Sequence, residues 1–290
     1  MFTLRVIRTI SATGVLLSFL VTSGFANTRT WGAGSHKTRH QYRHQASRGK
    51  YHTVAHHHAA KHNQGPSQEQ TLEEIFPPGH KFTPEEKAEA SALGVFVDNG
   101  MWKDAFKYTN HAVKQHPERW WLQAARAAAA SNLNRPKDTI EAVDEAIRTN
   151  NGDANRLNLS QLYILKANAL SRLDRKSEAL SFFLSAAQLS PRDPFSRAGA
   201  AWLYATATDP QIRNGVTAVK LATEAAKLTN EKDATILDVL AAAYAEQGDF
   251  KSAEKWESKA ILSGDPLDVP YYQRRLQTFQ SGKPWRESTA

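Results

Sequence analysis

Histidine is the residue type most able to do chemistry in this chain, and its placement is uneven. Eight of the eleven histidines lie between His36 and His62. His36, His40 and His44 recur every four residues, a spacing that sets three imidazoles on one face of a helix, and His56, His57, His58 and His62 follow. Neutral imidazole is a good ligand for Zn, Ni or Cu ions, so these residues are the candidate metal ligands. A plainer reading fits the same stretch. No carboxylate or thiol completes a ligand set, and Gly, Ser and Thr stand where a helix needs better formers. A solvated polycationic linker with a compositional histidine bias accounts for the pattern as well, and is the favoured reading.

Charge follows the same division. Residues 1–62 hold nine of the 37 Lys and Arg and no Asp or Glu, whereas the other 28 basic residues face 29 acids. The formal net charge of +8 therefore belongs to an arm, and the remainder is close to neutral. Residues 27–62 are expected to make weak, salt-sensitive contact with an anionic surface. Nucleic acid is the poorest candidate for that surface, because it conflicts with export.

Other chemistry is sparsely supported. The chain has no cysteine, which excludes disulfides, thiolate metal sites and cysteine nucleophiles. It has no His-Glu-x-x-His helix, no Gly-rich phosphate loop after a strand and no Gly-x-Ser-x-Gly turn. Only His80, His111 and His116 lie outside the arm. We expect no enzyme activity and no cofactor beyond an ion on the histidine arm.

The first residues predict the compartment. Arg5 and Arg8 precede an apolar run from Ile10 to Val21, and small residues surround Gly24-Phe25-Ala26. These are the parts of an export signal, residues 1–26 with cleavage after Ala26, and they direct the protein to the periplasm or outside the cell. The run is short for the roughly 20 residues of a membrane span, and no later stretch is apolar enough to be one. Residues 27–82 lack the aliphatic content to offset their ordering entropy and are expected to be disordered. Leu72 to Pro78 is a short amphipathic piece within them.

From Thr83 the sequence turns helical. Thr83-Pro84-Glu85-Glu86 is a capping box with proline at the first helical position. Helical hairpins are predicted over about 84–117, 120–151, 160–191, 199–230 and 234–263, separated by turn signals such as Asn99-Gly100, Asn134-Arg135-Pro136 and Gln247-Gly248-Asp249. A last amphipathic helix, Tyr271 to Gln280 within a segment 266–290, would cover the open end of the array. Ala105, Thr139, Ala179, Ala218 and Ala253 sit at the closest contact of each second helix, 34, 40, 39 and 35 residues apart, and seven residues after each comes alanine again. The two longer steps coincide with extra residues in the loops around Asn150–Asp153 and Ala207–Gly215.

This period, the paired alanines, the turn glycines and the closing prolines resemble the tetratricopeptide repeat family over residues 84–262, best in the fifth hairpin with Tyr244, Gly248, Phe250, Ala253 and Ala260. The resemblance implies an all-α fold: a right-handed superhelix of about five hairpins with a capping helix, preceded by the disordered arm. It also implies that first helices line a concave groove that binds a protein or peptide. Counting from the register places Asp98, Trp121, Asn132, Gln161, Asn168, Arg172, Asp238 and Glu246 toward that groove. Asn168 and Arg172, four apart, offer a donor, an acceptor and a charged fork to a peptide backbone or carboxylate. Of Trp120 and Trp121, one indole is expected in the core and the other on the concave side, although burial of both fits the pattern too. Alanine at 128 and 242 interrupts the polar set with which some relatives hold a terminal carboxylate, so that specificity is not carried over.

Overall fold

In the computed structural model, which describes residues 82–152 and 154–287, the Thr83-Pro84-Glu85-Glu86 pattern does what its chemistry predicts. The Thr83 hydroxyl accepts from the Glu86 backbone N–H at 3.2 Å and the Glu86 carboxylate accepts from the Thr83 N–H at 2.9 Å. The export segment, the histidine arm and the Leu72–Pro78 piece lie outside the described residues.

Among the described residues there are eleven helices and no strand: α1 Pro84–Asp98, α2 Trp102–Gln115, α3 Trp120–Asn132, α4 Pro136–Thr149, α5 Arg156–Arg172, α6 Lys176–Leu189, α7 Pro194–Thr206, α8 Gly215–Leu228, α9 Ala234–Gln247, α10 Phe250–Ser263 and α11 Val269–Gln280. Helices adjacent in sequence pack together throughout, giving five hairpins and a closing helix. The small-residue pairs sit at these contacts: Ala105 and Ala112, Thr139 and Ala146, Ala179 and Ala186, Ala218 and Ala225, and Ala253 and Ala260 are all buried. A methyl or hydroxyl in place of a longer chain lets two backbones approach closely.

The hairpin turns share one backbone solution. Five residues before the small residue of each second helix, the chain enters the left-handed region at Gly100, Asn134, Asp174 and Gly248. Paired backbone bonds close each turn, as where the Gly248 N–H donates to Ala245 and the Asp249 N–H to Tyr244. Glycine, asparagine and aspartate are the residues that tolerate this conformation at least cost. The fourth hairpin departs from the pattern. Its turn is extended over Ala207–Asn214, and Arg213 stitches the insertion together by donating to the carbonyls of Ala207 and Thr208 and pairing with Glu246 on α9.

Two helix starts differ from the sequence reading. α5 begins at Arg156, where Asn155 accepts from the Asn158 N–H, rather than near Ser160. α7 begins at Pro194, capped by Asp193, rather than near Gly199. In both first turns, Arg156-Leu157-Asn158-Leu159 and Pro194-Phe195-Ser196-Arg197, the apolar residues do not fall on the period that runs through the rest of the helix.

The first helices α3, α5, α7 and α9 are buried along almost their whole length, whereas α4, α6, α8 and α10 bury a single stripe. First helices also touch one another, α7 and α9 most extensively, and second helices make no comparable contact. A stack crowded along one row and spread along the other curves toward the crowded row, which makes the first helices the concave side. The open end of that stack is covered by α11, which inserts Phe279 into the main core and Tyr272 beside Leu237 and Ala260. The first hairpin is looser, with α1 and α2 meeting less extensively than the two helices of any other hairpin.

Candidate peptide-binding face

The concave row carries two groups of polar residues, one on α3 and α5 and one where α7, α9 and α11 converge. In the first group, Gln161, Asn168 and Arg172 lie seven and four residues apart on one face of α5. Gln161 and Asn168 are both buried, and the oxygens of their amides have no hydrogen-bond partner among the described residues. Arg172 is half-buried and reaches across to α3, where Nη1 lies 3.4 Å from the Ser131 carbonyl. Burial pulls its guanidinium down from the ordinary arginine value, with no acid nearby to oppose the shift, yet an arginine side chain stays charged in such surroundings. Asn132, next to Ser131, donates from Nδ2 to the Ala128 carbonyl at 3.0 Å. The structure thus gathers Asn132, Asn168 and Arg172, with Gln161 two turns away. Asp98 is exposed at the end of α1 and stands apart from them.

Trp121 corrects the expectation of an exposed aromatic anchor. It is buried with Trp120 in one apolar cluster that includes Leu122, Ala146 and Leu162. An indole at this position fills the space left by the alanines that follow it on α3.

Asp238 and Glu246 also differ from their sequence reading, because both are engaged inside the molecule. Asp238, 2% exposed, faces Arg275 of α11 with Nη2 to Oδ2 at 3.0 Å and Nε to Oδ1 at 2.9 Å. Glu257 of α10, fully buried, lies beside Asp238 and so joins the same cluster. Burial, and then the Asp238 charge, push the Glu257 carboxyl well above the ordinary carboxylate range. Asp238 is also pushed up by burial, opposed by the Arg275 charge and by the neighbouring Glu257. A proton retained on Glu257 leaves one negative charge, on Asp238, to face Arg275. Glu246 meets two guanidinium groups, Arg213 at 3.1 Å and Arg286 at 2.6 Å.

Arg286 belongs to a feature that the sequence reading did not place. After α11, the chain turns at Gly282 (φ 69°) and runs without helix through residues 283–287 back onto the concave row. The Glu287 N–H donates to the Thr206 carbonyl at 3.1 Å. The Glu287 carboxylate accepts from Trp202 Nε1 at 2.6 Å and is bound by Lys176 of α6. Arg286 donates to the Ala205 carbonyl at 3.3 Å, and Trp285 packs against the main core. The Arg275 guanidinium lies 5.2 Å from the Trp202 ring centre and 5.5 Å from that of Trp285, so one cation serves two indoles and Asp238.

Lys176, Trp202, Glu257 and Arg275 were missed as participants, and part of the signal was available. The inserted turn breaks a count backwards from Ala218, but a count forwards from the caps does not. Trp202 is nine residues after Asp193, as Ala242 is nine after Asp233, and Thr206 matches Glu246 in the same way. This register puts Trp202 and Thr206 on the concave row. Nothing comparable marks Arg275 or the tail.

Among the described residues, no group of three His, Cys, Asp or Glu side chains is arranged to hold a metal ion, and no helix is long and apolar enough to cross a membrane.

No family model matches the chain, and no curated protein matches it. Solved structures do. The body is similar to TTC0263, a tetratricopeptide repeat protein of Thermus thermophilus, at 17% identity, with 67% of this chain and 98% of that one covered and a TM-score of 0.50. MamA matches at 14% identity over 61% of this chain and 90% of its own, with a TM-score of 0.48. YrrB, described as a tetratricopeptide repeat protein with an unusual peptide-binding site, matches at 14% over 63% and 88%, with a TM-score of 0.47. The likeness to TTC0263 is one of fold, and it agrees with the hairpin geometry in identifying the body of this chain as a tetratricopeptide-like solenoid.

Proposed function

We propose that this chain is a non-enzymatic scaffold whose concave face binds an extended segment of a protein partner, and that residues 1–26 export it to the periplasm or beyond. One observation carries the reading: a non-helical stretch of chain, residues 283–287, already lies on that face, held through its backbone at Thr206 and through its side chain at Lys176 and Trp202. Toward the other end of the row, the half-buried Arg172 offers a fork to the carbonyls or carboxylates of such a stretch. The basic arm, residues 27–62, would tether the scaffold to an anionic surface. Its histidines keep a second reading alive, in which the arm carries Zn, Ni or Cu and the repeats recruit a client. Calorimetry of the mature chain with each ion, against a chain lacking residues 27–62, separates the two.

The groove is tested with a displayed library of random peptides selected on the mature chain. Selected peptides should lose roughly tenfold in affinity, about 1.4 kcal/mol, when Asn168 and Arg172 are both changed to Ala. Because Asn168 is buried and Arg172 half-buried, the affinities are compared at a temperature where circular dichroism shows that variant still folded. Failure to enrich any peptide, or affinities indifferent to the double substitution, would remove the concave face from the function.

A further inference from the structure

We propose that Lys176, Trp202, Thr206 and Arg275 form a recognition site for extended peptides in which a tryptophan is followed two residues later by an acidic residue, and that residues 283–287 occupy this site as an exchangeable internal ligand. The inference rests on the scaffold reading and specifies its ligand class. Each part of the pattern has its own counterpart. The acid is read by two donors of different kind, the Trp202 indole N–H and the Lys176 ammonium, and Glu287 between them is only 6% exposed. A carboxylate held by a charge-assisted bond and a fixed N–H is discriminated from an amide, which would turn a donor toward one of them. The indole of Trp285 is read by the Arg275 guanidinium, which Asp238 holds in place from behind. The Thr206 carbonyl takes the N–H of the acidic residue, which fixes the direction of the strand. The side chain between the two, that of Arg286, reaches Glu246 and adds a charge preference at that position.

Three features make the occupant exchangeable. The stretch has no helix of its own, and residues 281–283 that connect it to α11 are exposed. The turn at Gly282 has room for backbone movement, with no atom within 4 Å of where a Cβ would stand. The seat itself is built from α6, α7 and α11, none of which depends on the tail for its helical hydrogen bonds. Tethering through so short a connection gives the internal ligand an effective concentration on the order of millimolar, which is the barrier an external peptide must overcome.

The test uses a fluorescein-labelled peptide with the sequence of residues 282–288, Gly-Lys-Pro-Trp-Arg-Glu-Ser, and reads fluorescence anisotropy. The full chain should bind it at least roughly tenfold more weakly than the full chain carrying Trp285→Ala with Glu287→Ala, whose site is vacated. Adding Lys176→Ala to the vacated chain should abolish the gain, and so should changing Glu to Gln in the peptide. The inference is overturned if the vacated chain keeps its helix content and melting temperature yet binds the peptide no better than wild type, or binds the Gln peptide equally well. Should the double variant not fold, Glu287→Lys leaves Trp285 in place and sets a cation against Lys176, and the same comparison applies. If the peptide fails in every arm while library-selected peptides still depend on Asn168 and Arg172, this site falls and the scaffold reading stands.

Discussion

Glu257 is a carboxyl with no solvent around it and a second carboxyl beside it, so its proton is part of the structure. Its value in the folded chain lies above its unfolded value. The stabilisation from that proton is therefore complete below the ordinary carboxylate range and is lost as pH rises through the folded value. Exposed acids such as Glu85 and Asp249, held low by Arg119 and by Ser252 respectively, contribute the opposite slope at acid pH. Comparing wild type with Glu257→Gln isolates the buried site, because the amide keeps the shape of the protonated carboxyl and does not ionise. Melting temperatures from pH 5 to 9 should show the variant gaining on wild type as pH rises, and parallel profiles would mean that Glu257 is ionised in the folded chain. Arg275→Met addresses the other side of the cluster. It leaves the Asp238 charge buried and uncompensated and should cost about 3–5 kcal/mol in denaturant unfolding. Neither residue was legible as a cluster member, since Asp238, Glu257 and Arg275 come from three helices and no spacing relates them.

At the scale of the helix pair, the fold was largely readable, because a small residue is required wherever two backbones meet and that requirement repeats. Ala253 is fully buried against its neighbours, and Ala253→Arg should lower the melting temperature severely or prevent folding. Gly199 gives a finer measurement. A Cβ there would stand 2.3 Å from Cε1 of Phe183 on α6, so Gly199→Ala should cost about 1–3 kcal/mol by overpacking. Adding Phe183→Leu should recover part of the loss, and no recovery would place the strain elsewhere. The turns were only partly readable: Gly100 and Gly248 announce left-handed backbone outright, whereas Asn134 and Asp174 adopt it with residues that are common in other loop conformations too. Helix starts at Asn155 and Asp193 were missed for a related reason. Their caps are polar residues that act through one hydrogen bond to the first turn, and a periodic apolar signal cannot register them.

Over the whole molecule, charge is segregated, with the excess positive charge confined to residues 1–62 and a nearly neutral remainder after them. If the arm tethers the protein electrostatically, retention on heparin resin should fall steeply between about 0.05 and 0.3 M salt. Deleting residues 27–62 should abolish the retention without shifting the melting temperature, and retention that survives the deletion would assign it to the repeats. The contact between Glu287 and Lys176 has a further consequence for how the array comes apart. Helical repeats normally share stability only with their immediate neighbours, so they open piecemeal. Here residues 111 positions apart are joined, and every helix from α6 to α11 lies between them in sequence. That half should exchange its amide hydrogens as one cooperative block, while α1 and α2, which meet less extensively, exchange independently and first.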